Sequence, residues 1–158
     1  MTAEAGATTG ASVEREIRIE ASPEVVWGFL TEPEKMQRWE CVAAEVDLRP
    51  GGKMRMDMHG DRDIAVGEYV TVEPYSRLVF TLGWEDNAEF VPPGSSTVEV
   101  TLEPDGSGTL VRLRHSDLPS EEAAQAHGEG WTHYLGRLAI VVTGGDPGPD
   151  TLMDGNDG

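Results

Sequence analysis

Cysteine is nearly absent from this chain of 158 residues; Cys41 stands alone, so no disulfide can close within it. Lysine is almost as scarce: Lys35 and Lys53 are the only two, and arginine supplies the other bases. Twelve basic residues face 29 acidic ones, for a formal net charge of −17. No basic stripe with interleaved aromatics relieves that field, which repels a phosphate backbone and excludes nucleic acid as a partner. Anionic membrane surfaces are disfavoured for the same reason. No apolar run approaches the roughly 20 residues that cross a bilayer, so membrane insertion is not expected. Nor does a basic stretch followed by an apolar run read as a secretory signal, which makes the cytoplasm the expected location.

Metal and cofactor signatures are missing too. Pro50-Gly51-Gly52 lacks the Lys-Ser/Thr of a phosphate-cradling loop, and no paired histidines have the spacing of a zinc site. His59-Gly60-Asp61-Arg62-Asp63 gathers one imidazole and two carboxylates, but in a stretch that reads as a solvated turn. No metal and no cofactor are therefore expected.

The two ends are poor in large apolar residues. Residues 1–12 are mostly Ala, Thr and Gly, and residues 144–158 are rich in Gly, Asp and Pro. Neither can offset its ordering entropy by burial, so both are expected to be disordered tails around one domain at residues 13–143. The tails hold five acids and no bases, which leaves −12 on the domain (−17 plus 5).

Inside that domain the pattern is regular. Val13–Glu20 alternates apolar and charged residues and reads as a strand. Ser22, Pro23 and Glu24 form a helix start: an N-cap, a proline at the first helical position and an acid at the positive end of the dipole. Pro33 disfavours helical geometry at Glu32, so that helix is short, and a second short one is expected over Glu34–Trp39. Strands follow at Glu45–Arg49, Lys53–His59, Ile64–Glu73, Arg77–Trp84, Thr97–Glu103 and Thr109–Ser116, separated by Gly, Pro, Asp and Ser turns. Ser120, Glu121 and Glu122 then open a long helix that Gly144-Gly145 ends. Hairpin-like links imply an antiparallel sheet, and one long helix must cover its apolar face. The fold class is α+β: a curved antiparallel sheet of about six or seven strands wrapped around a C-terminal helix, with two short helices after the first strand.

Four segments carry a resemblance to a known family. They are Ala21-Ser22-Pro23-Glu24-Val25-Val26-Trp27, Trp39, Glu73-Pro74-Tyr75-Ser76-Arg77-Leu78-Val79-Phe80-Thr81-Leu82-Gly83-Trp84, and the stretch from His115-Ser116-Asp117-Leu118 to His127-Gly128-Glu129-Gly130-Trp131. The chain resembles the bacterial single-domain members of the heat-shock-protein ATPase activator-like group, within the START-like superfamily that includes the birch pollen allergen. That resemblance implies a helix-grip fold with a cavity between sheet and long helix. It also implies functions ranging from lipid or polyketide binding to cyclase activity. The large extra N-terminal domain of the eukaryotic activator has no counterpart here, so chaperone activation does not carry over.

The residues themselves point to a pocket. Met54, Met56 and Met58 share one strand face, and methionine suits surfaces that adapt to varied apolar ligands. Trp39, Phe80, Trp84, Trp131 and Leu135 add large apolar side chains, which, like the methionines, either wall that pocket or fill the core. His115 and His127 are expected to face the same space, either as ligand contacts and an acid–base pair or as buried, hydrogen-bonded core histidines. Glu68, grouped with Val66, Val70 and Val72 by alternation, is expected to project inward as a carboxyl of raised pKa. The leading expectation is a non-catalytic binder of a small hydrophobic molecule, as a monomer or homodimer. The alternatives are a polyketide cyclase, dehydratase or hydrolase using the pocket His and Glu, and a stress-response or chaperone-partner module.

Overall fold

The computed structural model describes residues 11–148 and 150. Strand β1 (Ala11–Ile19) leads into helix α1 (Pro23–Thr31) and the single turn α2 (Pro33–Met36). Strands β2 (Ala43–Val46), β3 (Lys53–Asp57), β4 (Ile64–Glu73), β5 (Arg77–Trp84), β6 (Ser96–Asp105) and β7 (Gly108–Leu118) then run to the long helix α3 (Glu121–Val142). All seven strands join one sheet in the order β1-β7-β6-β5-β4-β3-β2, and every pairing is antiparallel. The chain returns after β7 to place α3 across the concave face. This is the helix-grip architecture.

The local causes match the sequence pattern. Ser22 Oγ accepts from the Val25 amide at 3.3 Å, and Ser120 Oγ accepts from the Ala123 amide at 3.0 Å. Each cap satisfies a donor that the first helical turn leaves unpaired. Glu32 is extended (φ −99°, ψ 122°), as a residue before proline prefers, and this separates α1 from α2. The second helix is shorter than the expected Glu34–Trp39, and β2 begins two residues before the expected Glu45.

The core is one layer of side chains between sheet and helix. Val98, Val100 and Leu102 of β6, Val111 and Leu113 of β7 and Leu135 and Leu138 of α3 are all buried. Each such side chain contributes about 1.5–3 kcal/mol by leaving water. A satellite cluster of Val13, Val91, Leu118, Ala123 and Ala124 anchors the start of α3. Trp27 of α1 meets the Tyr75 ring edge-on at 6.3 Å and ties that helix to the β4–β5 turn.

Two glycines mark close approaches. A Cβ on Gly67 of β4 would lie 1.8 Å from the Thr81 carbonyl oxygen, and one on Gly83 of β5 would lie 2.3 Å from that of Pro92.

The expected tail boundaries fall partly outside the described residues, namely 1–10, 149 and 151–158. Where the structure does describe them, the ends make contacts. Ala11 pairs with Leu118. The Asp150 carboxylate hydrogen-bonds to Nε2 of His133 at 2.9 Å and accepts from the Tyr134 hydroxyl. Arg137 Nη1 donates to the Pro147 carbonyl at 3.4 Å.

Candidate functional site

Two voids lie between the sheet and α3. The inner one measures about 30 Å³ and is enclosed by Trp39, Met54, Tyr69, Phe80, Leu113 and Leu135 among others. It has space for a water or two. The outer one is a cleft of about 180 Å³ that opens between the ends of β3–β5 and the first half of α3. Its walls include Met58, Ala65, Leu82, Trp84, Phe90 and His127. Glu40, Met56 and Trp131 line both voids and form the partition between them.

The pocket expected from sequence is thus divided. Trp39, Met54, Phe80 and Leu135 are core residues around the small cavity; Trp39 is 2% exposed and its indole N–H donates to the Phe29 carbonyl at 2.9 Å. Met56, Met58, Trp84, His127 and Trp131 face the cleft.

Glu68 is elsewhere. It is exposed, lies directly across from Lys53 and pairs with its ammonium group at 3.0 Å. A β-bulge is the reason. On β4, Tyr69 pairs with Phe80 and Thr71 with Val79, so Val70 is an extra residue. Ahead of the bulge, Ala65 and Tyr69 point inward; beyond it, Val72 packs on the core. Alternation traced back from Val72 through the bulge puts Glu68 on the wrong face.

His115 and His127 do meet, with ring centroids 5.1 Å apart and planes perpendicular. Their nitrogens are already engaged. An indole N–H only donates, so the imidazole nitrogen facing it is the unprotonated one. Trp131 Nε1 donates to His115 Nδ1 at 3.1 Å, which puts the proton of His115 on Nε2. Nε2 then donates to Ser96 Oγ at 2.8 Å, and Ser96 donates to the Leu82 carbonyl at 2.6 Å. Trp84 Nε1 donates to His127 Nε2 at 3.0 Å, and His127 Nδ1 donates to the Ala123 carbonyl at 2.7 Å. Burial, reinforced by His127, lowers the His115 pKa to about 3, and burial lowers that of His127 as well. Both rings are neutral acceptors that aim two tryptophans at the cleft.

The turn after β3 is internally bonded. Asp57 accepts from the Gly60 and Asp61 amides at 2.8 and 2.9 Å, and His59 Nδ1 lies 2.9 Å from Asp63. Cys41 is buried, and burial together with the neighbouring Glu40 pushes its thiol pKa up, away from reactivity.

Glu40 is the one acidic wall residue shared by the cleft and the inner cavity, and the sequence pattern did not reveal it, nor did it reveal Leu82, Phe90 or Tyr134 as cleft residues. Glu40 is 8% exposed, and burial raises its pKa to about 8. The segment that carries it is stapled in place. The Glu40 amide donates to the Met36 carbonyl at 3.0 Å, and Arg137 Nε of α3 donates to the Trp39 carbonyl at 2.9 Å. Trp39, Glu40 and Cys41 are consecutive buried residues. Apolar neighbours on both sides, Trp39 and Cys41, were the one available signal, in a stretch without helical or strand periodicity.

A curved sheet gripping a helix, with an apolar cleft between them, defines a START-like domain. The chain belongs to the Activator of Hsp90 ATPase homolog 1-like protein family, whose model matches residues 20–143. Among solved structures, an AHSA1-like protein from Rhizobium etli is 48% identical over 90% of this chain and 88% of that one, with a TM-score of 0.72. CalU16 from Micromonospora echinospora, in its solution structure, is 30% identical over 90% of this chain and 71% of its own (TM-score 0.72). DynU16, described as a putative protein in the dynemicin biosynthetic locus, is 26% identical over 86% of this chain and 48% of its own (TM-score 0.74). No curated protein matches the chain in sequence. Among the described residues, no helix is long and apolar enough to cross a membrane.

Proposed function

We propose that the protein binds a small hydrophobic, ring-bearing molecule in the cleft between the sheet and α3. The cleft itself carries this reading: about 180 Å³ of space walled by Met56, Met58, Leu82, Trp84, Phe90 and Trp131. An engineered apolar cavity of roughly 150 Å³ already holds benzene, so the volume suits a ligand of one or two rings. Two methionines can adjust to its outline, and two indoles held by His115 and His127 offer flat faces. Similarity to DynU16 supports a ligand of the natural-product type. The histidine nitrogens are engaged in orienting the tryptophans, which favours binding over acid–base chemistry. The buried free thiol of Cys41 suits a reducing cytoplasm.

Native mass spectrometry of the purified protein, with calorimetric titration of naphthalene-ring compounds, tests the proposal. Wild type should bind them saturably. Gly130 lines the cleft, and a Cβ there meets nothing within 4 Å. Gly130→Phe should therefore fill the cleft and weaken binding at least tenfold without lowering the unfolding temperature. Absence of saturable binding and of any co-purified mass would sink the idea.

A further inference from the structure

A carboxyl side chain with no partner sits in the wall of an otherwise apolar cleft. Glu40 is more than nine-tenths buried, and it borders both the cleft and the inner cavity. Among the described residues, no group hydrogen-bonds to its carboxyl and no cation pairs with it; desolvation is the one influence on its ionisation. Its titratable neighbours are Cys41, Tyr69 and Tyr134, none of them cationic. The Tyr134 hydroxyl is turned away, toward Asp150. The Glu40 carboxyl oxygens are not sealed off: they keep some accessible surface in a residue that lines the cleft, where a ligand atom can reach them. Here the peptide that joins Trp39 to Glu40 is held at both of its polar atoms, its N–H by the Met36 carbonyl and its C=O by Arg137, so the side chain is held inward rather than caught in passing.

We propose that Glu40 is the polar recognition group of the cleft and that it selects ring-bearing ligands carrying a neutral hydrogen-bond acceptor, such as an aryl ketone or quinone carbonyl. A carboxyl this deep, with no cation beside it, keeps its proton at neutral pH. In that form it offers one O–H donor to a ligand oxygen. Apolar walls with one or a few placed polar groups are the usual make-up of a small-molecule site: the walls supply affinity and the polar group selects.

This inference rests on the cleft-binding proposal, and the test separates the two. The probes are 2-acetonaphthone and 2-isopropenylnaphthalene, in which a CH2 replaces the carbonyl oxygen at nearly constant shape. Calorimetry gives the ratio of their affinities in wild type, Glu40→Gln and Glu40→Leu. The ketone-to-hydrocarbon ratio should fall about five- to tenfold in Glu40→Leu, the loss of one neutral hydrogen bond. It should stay within about twofold in Glu40→Gln, which keeps a donor. An unchanged ratio in Glu40→Leu, with both probes still bound, overturns the role of Glu40 and leaves the cleft proposal standing. Tighter binding of 2-(aminomethyl)naphthalene than of the ketone, lost in Glu40→Gln, overturns it in favour of a cation. If neither neutral probe binds wild type, the cleft proposal falls and this one with it.

Discussion

The Trp131 indole donates to Nδ1 of His115 across 3.1 Å, and in doing so sets which nitrogen of a fully buried imidazole carries the proton. The consequence runs through the sheet: His115 Nε2 reaches Ser96 Oγ, and Ser96 reaches the Leu82 carbonyl. Replacing His115 breaks this chain in its middle. His115→Phe keeps an aromatic ring, slightly larger than the imidazole, but strands the indole N–H, and should cost about 1–3 kcal/mol. His115→Ala adds a cavity and should cost about 3–5 kcal/mol. Urea unfolding gives both values, and tryptophan emission reports the freed indole. A loss below about 0.5 kcal/mol for both variants would mean the brace contributes nothing.

Stability should peak in mildly acidic solution, because two buried groups act in opposite directions. The folded His115 pKa is depressed to about 3, below its ordinary value of 6.5. Its unfolded form therefore binds the extra proton between those values, and stability falls as pH drops from about 6.5 toward 3. The folded Glu40 pKa is raised from 4.5 to about 8. Between those values the unfolded form has lost the proton that the folded form keeps, so stability falls as pH rises. Each slope approaches about 1.4 kcal/mol per pH unit. Between about 4.5 and 6.5 the two slopes cancel, so Glu40→Gln should flatten the alkaline limb and carry the rise of the acid limb on toward about 6.5. Denaturant titrations at intervals from pH 4 to 9 check this; an alkaline limb that persists in Glu40→Gln would assign it to other groups.

The glycines of the sheet and the helix should respond in opposite senses. Gly67→Ala drives a Cβ to within 1.8 Å of the Thr81 carbonyl oxygen, and only a shift of the backbone relieves that. A loss of several kcal/mol, or failure to fold, is expected. Gly136 on α3 has open space at the same point, and Gly136→Ala should add up to about 1 kcal/mol through helix propensity alone. Thermal unfolding of the two variants side by side distinguishes them.

Beyond the end of α3, Asp150 should act as a latch. It accepts from the Tyr134 hydroxyl and hydrogen-bonds to His133, and its charge helps raise the Tyr134 pKa. Asp150→Ala should cost about 1 kcal/mol and bring the alkaline titration of Tyr134 down. Ultraviolet absorbance near the phenolate band follows that titration; an unchanged midpoint would show that the contact is not kept in solution.

The elements were legible because their causes are local. Ser22-Pro23-Glu24 and Ser120-Glu121-Glu122 state helix starts, Pro33 states a helix end, and alternation at Met54-Met56 or Leu78-Phe80-Leu82 states which face is buried. Strands β4 and β5 run over the very residues that the pattern marked, Ile64–Glu73 and Arg77–Trp84. The site was legible only in part. Met56, Met58, Trp84, His127 and Trp131 face the cleft as large apolar or amphipathic residues on inward positions should. Glu68 did not, because one extra residue at Val70 inverts the alternation, and a bulge leaves no mark in composition.

The sequence alone determined that an antiparallel sheet of about six or seven strands would bury one face against a single C-terminal helix, because periodicity and caps act over a few residues. Tertiary structure decided everything that depends on distant residues meeting. It divided the expected pocket into a cavity for a water or two and a cleft large enough for a ring. It turned two candidate acid–base histidines into acceptors for Trp84 and Trp131, since a tautomer is set by the partner across the fold. And it placed Glu40, in a stretch without periodicity, against the cleft, where loss of water rather than any neighbour in sequence gives the carboxyl its character.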